Sequence, residues 1–175
     1  MITLVTPFPQ EHVSFLWSWL NEFPLANFDD SAPTNVKELA MQISHRSDDG
    51  DILWEVQSNS VAVGAIGFRQ VTPELGVFRG ICFTQYVHGT GIPREAVSVV
   101  LDSAFNIGVQ AVRAEYFASN KRVQRFLEKF GGTVCDYIRC GSLQNGVPID
   151  WKVTEILQPD YVAIRRNQKQ DVKSD

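Results

Sequence analysis

The residues whose types and spacing suggest chemistry lie in TQYVHGTGIPREAV, positions 84–97, where Gly89 and Gly91 flank one threonine and Pro93 follows. Apolar residues at helical spacing begin directly afterwards, which puts the glycines in a turn that leads into a helix. The chemistry available there is anion binding. Glycine lets the backbone approach a ligand closely and adopt positive φ. The first amides of a helix have no internal partner, and the helix dipole presents its positive end at the same place. A phosphate or pyrophosphate suits such a turn, and so does a plain strand-to-helix connection that needs glycine. Neither GxxxxGK[ST] nor GxGxxG occurs, so the mononucleotide and dinucleotide fingerprints are not supported.

The other residues that can do chemistry are sparse. His12, His45 and His88, with Cys82, Cys135 and Cys140, show no metal-ligand spacing, and no metal is expected. Three cysteines without a CxxC argue against a disulfide framework and for a reduced, cytoplasmic setting.

The elements that must position the turn can be read from periodicity. Residues 2–5 form a strand, and residues 11–22 place Val13, Leu16, Trp17 and Leu20 on one helical face, with Phe15 and Trp19 beside them. The acidic, proline-containing segment 23–33 interrupts the pattern. A second helix follows, with Asn35 and Glu38 at capping spacing and Val36, Leu39, Ala40 and Ile43 on one face. The period then changes to that of strands at 52–57, 61–70 and 77–86, joined by short turns in an antiparallel meander. A helix over 92–106 buries Ala96, Val97, Val100, Leu101, Ala104 and Phe105 and ends at Gly108. A strand over 109–117 is separated from the meander by this helix and can be its parallel neighbour through a crossover. A short helix over 120–130 buries Val123, Phe126, Leu127 and Phe130, and strands over 133–143 and 148–157 close the chain. The expected fold is α/β, of the α+β kind: a mixed, mainly antiparallel central sheet flanked by helices.

The 175 residues suit one domain, taken as 1–164, with the polar stretch 165–175 read as a flexible tail. A hydrophobic content of 44% with 21% charged residues is enough for a core that needs no metal or disulfide. A net charge of −4 argues against sequence-independent nucleic-acid binding, which draws on clustered Lys and Arg. The opening MITLVTPFPQEHV has no basic region before its apolar residues, and no signal peptide or membrane span is expected.

The order of elements, with VAVGAIGF, ICFTQYVHGTGIPREAV, ASNKRVQRFLEKFGG and NGVPIDWKVTEI, resembles the GNAT acyl-CoA-dependent N-acetyltransferases, most of all the branch that modifies ribosomal-protein N-termini and related amines. The likeness is best over 54–157. It implies acetyl-CoA as co-substrate, with one parallel strand pair splayed around the cofactor. The family pattern Arg/Gln-x-x-Gly-x-Gly/Ala, whose amides hold the coenzyme A pyrophosphate, falls on His88, Gly89, Thr90, Gly91, Ile92 and Pro93. His88 replaces Arg/Gln and can still donate to a phosphate; its alternative is an exposed loop residue. Pro93 replaces the small final residue and removes one N–H, although proline suits a first helical turn. The resemblance further implies that backbone groups of 81–84, Ile81 and Phe83 among them, pair with pantetheine amides. It places the thioester between Cys82–Phe83 and 115–117, and gives Asn120 a cofactor contact in addition to its plain use as an N-cap.

Where the family often has a serine or tyrosine to protonate the departing thiolate, this chain has Val123 and Leu127, which cannot donate. Glu115, Tyr116 and Cys82 are the remaining candidates for acid or base, and strand alternation allows only one of Glu115 and Tyr116 to face the site. Glu74 and Arg79 are candidates for the acceptor side. The aromatic residues Phe15, Trp17, Trp19, Phe23 and Phe28 would lie near the acceptor pocket or in the core. Asp29, Asp30, Asp48, Asp49 and Asp51 either attract a cationic amine or form a solvated loop face. The resemblance thus implies acetyl transfer to a small-molecule or protein amine by a monomer or homodimer. The alternative is a binding or regulatory protein of the same fold without the transfer chemistry.

Overall fold

The computed structural model describes residues 1–22, 33–144 and 146–171. Turn chemistry sets the first strands. β1 (Ile2–Val5) pairs antiparallel with β2 (Ile52–Ser58), with Val5 opposite Glu55. β2 pairs with β3 (Val61–Gln70), with Glu55 opposite Ala65. The β2–β3 link is Asn59 and Ser60, at φ 50° and 64°. Two successive positive φ values give the mirror-image turn that follows the natural twist of a hairpin. β4 (Leu75–Phe83) starts and stops earlier than the 77–86 expected, because Gln85–Val87 closes into a 3₁₀ turn. Gly80 interrupts β4 with φ 144°, a conformation open to glycine and strained for other residues.

The chain divides into two compact units, Met1–Gln70 with Val77–Ser103, and Val71–Gly76 with Ala104–Asp175. In the first, a 3₁₀ turn at Gln10–His12 leads into α1 (Val13–Glu22), and α2 (Val36–Asp48) follows. Asn35 caps α2 by accepting the Glu38 N–H at 3.0 Å, while the Glu38 carboxylate reaches back to the Thr34 N–H at 2.7 Å. The expected capping pair is therefore present, but the glutamate closes on the residue before the cap. Phe8, Val13, Leu16, Trp19 and Leu39 pack with Ala65 and Cys82 in one buried cluster. Each large apolar side chain buried there contributes about 1.5–3 kcal/mol relative to exposure. Trp17 and Leu20 only pack against the cluster, and Phe15, at 51% exposure, lies outside it. Phe23, Phe28, Asp29 and Asp30 lie outside the described residues. α3 (Ile92–Asn106) buries the six residues its periodicity indicated.

In the second unit, β5 (Ala111–Phe117) pairs antiparallel with β7 (Val147–Leu157), which also pairs with β6 (Thr133–Gln144). α4 (Lys121–Glu128) buries Leu127, and Phe130 is buried just beyond it; Val123 and Phe126 are half-buried. The sheet order is β1-β2-β3-β4-β5-β7-β6, mostly antiparallel with β4 and β5 as its parallel pair, as the element order led one to expect.

The end of the chain departs from expectation. Gln158–Asp171 is a helix, α5, running through most of the stretch read as a flexible tail. Tyr161 is buried and packs on Phe105 with ring centroids 5.4 Å apart, and Asp160 and Ile164 approach Gly131. The apolar residues of α5 are confined to Tyr161–Ile164 and the following RRNQKQ has none, so the helix carries little periodic signal, and tertiary packing supplies what periodicity does not. No helix among the described residues is long and apolar enough to cross a membrane.

Candidate active site

The glycine turn belongs to the first unit and is built by local hydrogen bonds. The His88 amide donates to the Gln85 carbonyl at 3.1 Å and the Thr90 amide to the Val87 carbonyl at 3.2 Å. Thr90 Oγ1 donates to the Val87 carbonyl at 2.7 Å and accepts the Ile92 N–H at 3.2 Å. The Glu95 amide makes the first bond of α3, to the Gly91 carbonyl at 2.9 Å, which makes Gly91 the N-cap residue. These bonds use the amides of His88, Thr90, Ile92 and Glu95. Those of Gly89, Gly91 and Arg94 take no part in them, and Pro93 has none to offer. Gly89 adopts φ 80°, and a Cβ built on Gly89 or Gly91 would meet no heavy atom within 4 Å. The head of α3 is therefore open and carries unclaimed donors, which suits a phosphate.

His88 is half-buried, not an exposed loop residue. Its Nε2 lies 3.1 Å from the Phe83 carbonyl and donates to it in the tautomer that this contact requires. The ring ties the turn to the end of β4. The same carbonyl is one that the resemblance assigns to pantetheine; it keeps a second lone pair for that use. Ile81 is half-buried and Phe83 is buried. Cys82, at 3% exposure, packs in the cluster under α1 and α2. Its thiol is part of the core, which sets it apart from Glu115.

The second unit carries the other candidates. Glu115 is exposed on β5, while Tyr116 faces inward with its hydroxyl 2.8 Å from Thr154 Oγ1. Burial pushes the Tyr116 phenol above its ordinary value, so it stays protonated at neutral pH and suits a donor rather than a base. Asn120 caps α4, with Oδ1 accepting the Val123 N–H at 3.2 Å. Register places Lys152 opposite Tyr116, and Lys152 donates to Gln124 at 2.9 Å. Its contact with Lys121 holds the Lys152 ammonium below the usual lysine range. Sequence reasoning missed this pair of cations near Asn120, because only the β5–β7 register brings them together.

Glu74 and Arg79 fall in different units. Arg79 borders a cavity of about 490 Å³ in the first unit, with Phe8, Leu39, Gln42, Asp51 and Leu53 among its walls. Asp51 is buried and engages both Arg69 and Arg79, and Asp49 lies 3.9 Å from Arg69. The Asp51 carboxylate is already neutralised, which weakens its reading as a lure for a cationic amine.

A family model described as an acetyltransferase (GNAT) domain matches residues 3–133. The chain belongs to the GNAT acetyltransferase family. Solved GNAT-fold structures share its fold at low identity. Variants of the spermidine/spermine N-acetyltransferase SpeG from Vibrio cholerae have TM-score 0.74 and 17% identity, covering 93% of this chain and 96% of that chain. The yncA protein of Salmonella typhimurium, solved with its cofactor acetyl-CoA, has TM-score 0.69 and 15% identity, covering 90% and 92%. The ribosomal-protein-alanine N-acetyltransferase of Brucella melitensis has TM-score 0.70 and 15% identity, covering 90% and 99%. A search of curated protein sequences found no match. Acetyl-CoA is the co-substrate of this GNAT domain.

For a GNAT protein, the two roles of Asn120 can be separated by substitution. Asn120→Ala removes the cap at a cost of about 1 kcal/mol, a fall in melting temperature of roughly 2–4 °C. Asn120→Asp keeps the cap but replaces the amide donors with a charged carboxylate. If Asn120 also holds cofactor, both variants weaken acetyl-CoA binding in calorimetry while only alanine lowers the melting temperature. Unchanged affinity in both would leave the cap as its whole role.

Proposed function

We propose that the protein transfers the acetyl group of acetyl-CoA to a primary amine by direct attack of the amine on the thioester. The observation that carries this reading is the set of unused amides at Gly89, Gly91 and Arg94, at the positive end of a 15-residue helix. In this reading the turn 88–93 receives the pyrophosphate, with Gly89 and Gly91 supplying N–H groups. Thr90 holds the turn's shape, and Ile92 contributes only if its amide leaves the Thr90 hydroxyl. Ile81 and Phe83 offer backbone groups to pantetheine, and Asn120 offers its side-chain amide to the cofactor. Glu115 and Tyr116 remain acid–base candidates, with Tyr116 restricted to donation. Direct transfer demands a neutral amine, alignment and polarisation of the carbonyl. The acceptor is a small-molecule or protein amine. The spermidine and ribosomal-protein acetyltransferases that share the fold make spermidine and an N-terminal alanine the first acceptors to try. In this reading the enzyme is cytoplasmic, which three cysteines without a CxxC support.

Calorimetry with acetyl-CoA is expected to give saturable one-site binding, and the absence of heat at millimolar cofactor would refute the proposal. A second reading, cofactor binding without transfer, is favoured by one observation. Leu127 is fully buried and Val123 half-buried, so neither position offers an acid to the thiolate. Thiol release with an amine would exclude that reading.

A further inference from the structure

Glu55 lies within β2 and is completely buried. A carboxylate there is costly unless partners replace the water it has lost. Each oxygen has one such partner: Gln57 Nε2 donates to Oε1 at 2.6 Å, and His12 Nδ1 lies 2.5 Å from Oε2. His12 comes from the 3₁₀ turn ahead of α1, and its side chain keeps 31% exposure. The contact with Glu55 sets the ring. Nδ1 carries the proton, and Nε2 of the neutral imidazole is left as an acceptor. Phe15 meets the ring edge-on, with centroids 5.4 Å apart. A carboxylate on Nδ1 and an open Nε2 is the arrangement by which an imidazole accepts a proton in acyl transfer.

The surroundings give that nitrogen a use. Glu55 stands opposite Ala65, and Ala65 and Cys82 share one buried cluster. The dyad is thus on the face of the first unit that carries Cys82, and β2 lies two strand spacings, roughly 10 Å, from β4. Leu53, on the same strand face as Glu55, and Gln10, in the same turn as His12, border the 490 Å³ cavity. The dyad itself is not part of the cavity wall, but its neighbours in turn and strand are.

We propose that His12, held by Glu55, takes the proton that the acceptor amine must lose before it attacks. This deepens the transfer reading and rests on it. One N–H bond of the ammonium breaks and its proton moves to Nε2, giving an imidazolium paired with the Glu55 carboxylate. The nitrogen lone pair forms the C–N bond to the acetyl carbonyl. The C–S bond breaks, and its electron pair leaves on sulfur. The second proton of the attacking nitrogen passes to that thiolate, and His12 returns its own to solvent. His12 is the proton acceptor and Glu55 a positioning residue.

The decisive variant is His12→Asn, whose amide N–H keeps the bond to Glu55 but which cannot accept the proton. Thiol release is measured with acetyl-CoA and either spermidine or L-alaninamide, beside calorimetry with acetyl-CoA and thermal melting. His12→Asn is expected to keep its melting temperature and bind acetyl-CoA within about twofold of wild type, while kcat falls by about 100-fold or more. Imidazole in solution is expected to restore part of the rate to His12→Ala. Glu55→Gln, which preserves shape, is expected to lower kcat by roughly tenfold with little change in KM. Wild-type kcat in His12→Asn would overturn the inference while the transfer reading stands. Wild-type protein that binds acetyl-CoA yet releases thiol with neither amine would overturn both.

Discussion

Gly91→Asp is expected to weaken acetyl-CoA binding by about 10- to 100-fold, roughly 1.4–2.8 kcal/mol, in a protein that melts no lower than wild type. The two halves of this prediction come from the same geometry. Gly91 is the N-cap of α3, has no positive φ, and has open space where a Cβ would stand. Aspartate is among the best N-cap residues and puts negative charge at the positive end of the helix, so the fold gains a few tenths of a kcal/mol or more. Its carboxylate would normally accept the amide of the second or third helical residue. The second is Pro93, which has none, so the carboxylate would take the Arg94 N–H. That is one of the donors left for phosphate, and the new charge also repels the ligand. Gly91→Asn takes up the same amide without the charge, and Gly91→Ala does neither. Calorimetry across the series is expected to rank affinity as Gly, Ala, Asn, Asp in falling order, while melting temperature is lowest for Ala. An aspartate variant with wild-type affinity would place the pyrophosphate elsewhere.

The fold was legible in the sequence wherever one periodic pattern dominated. The buried face of α3, the hairpin at Asn59 and Ser60 and the Asn35 cap were all open to local reading, because each is determined within a few residues. α5 was not, because its burial rests on Tyr161 meeting Phe105, a contact no local window contains. The candidate site divides in the same way. The glycine turn could be found from spacing, but the engagement of His88 with Phe83 and of Ile92 with Thr90 depends on the conformation of the turn, which spacing does not reveal. Cys82 stood out by residue type, and burial assigns it to the core. Glu55 shows the reverse. In ILWEVQ it looks like an ordinary charged residue of a strand, and only the fold reveals that it is fully buried and held against a partly exposed His12.

Gly64→Ala is expected to destabilise the first unit strongly, because the strand pair there closes on the bare backbone of Gly64. A Cβ at this position would stand 2.4 Å from Phe83 Cδ1 and 2.6 Å from the Cys82 carbonyl oxygen. The ring can rotate away, but the carbonyl cannot move without moving β4. Overpacking of this kind costs about 1–3 kcal/mol and occasionally more. With backbone as the obstacle the upper part of that range applies, which corresponds to a fall in melting temperature of roughly 5–10 °C for a chain of this size. Gly67→Ala is the control: its Cβ would meet the Arg79 backbone at 3.3 Å, so a few tenths of an ångström suffice and a smaller loss is expected. Adding Phe83→Ala to Gly64→Ala removes the ring clash and leaves the carbonyl clash, so recovery should be partial. Because Phe83 also anchors His88, surviving Gly64→Ala protein is expected to bind acetyl-CoA more weakly, whereas Gly67→Ala binds it normally. Wild-type stability in Gly64→Ala would mean that β3 and β4 separate easily at this point. Near-normal affinity in it would show that the glycine turn holds its shape without the end of β4.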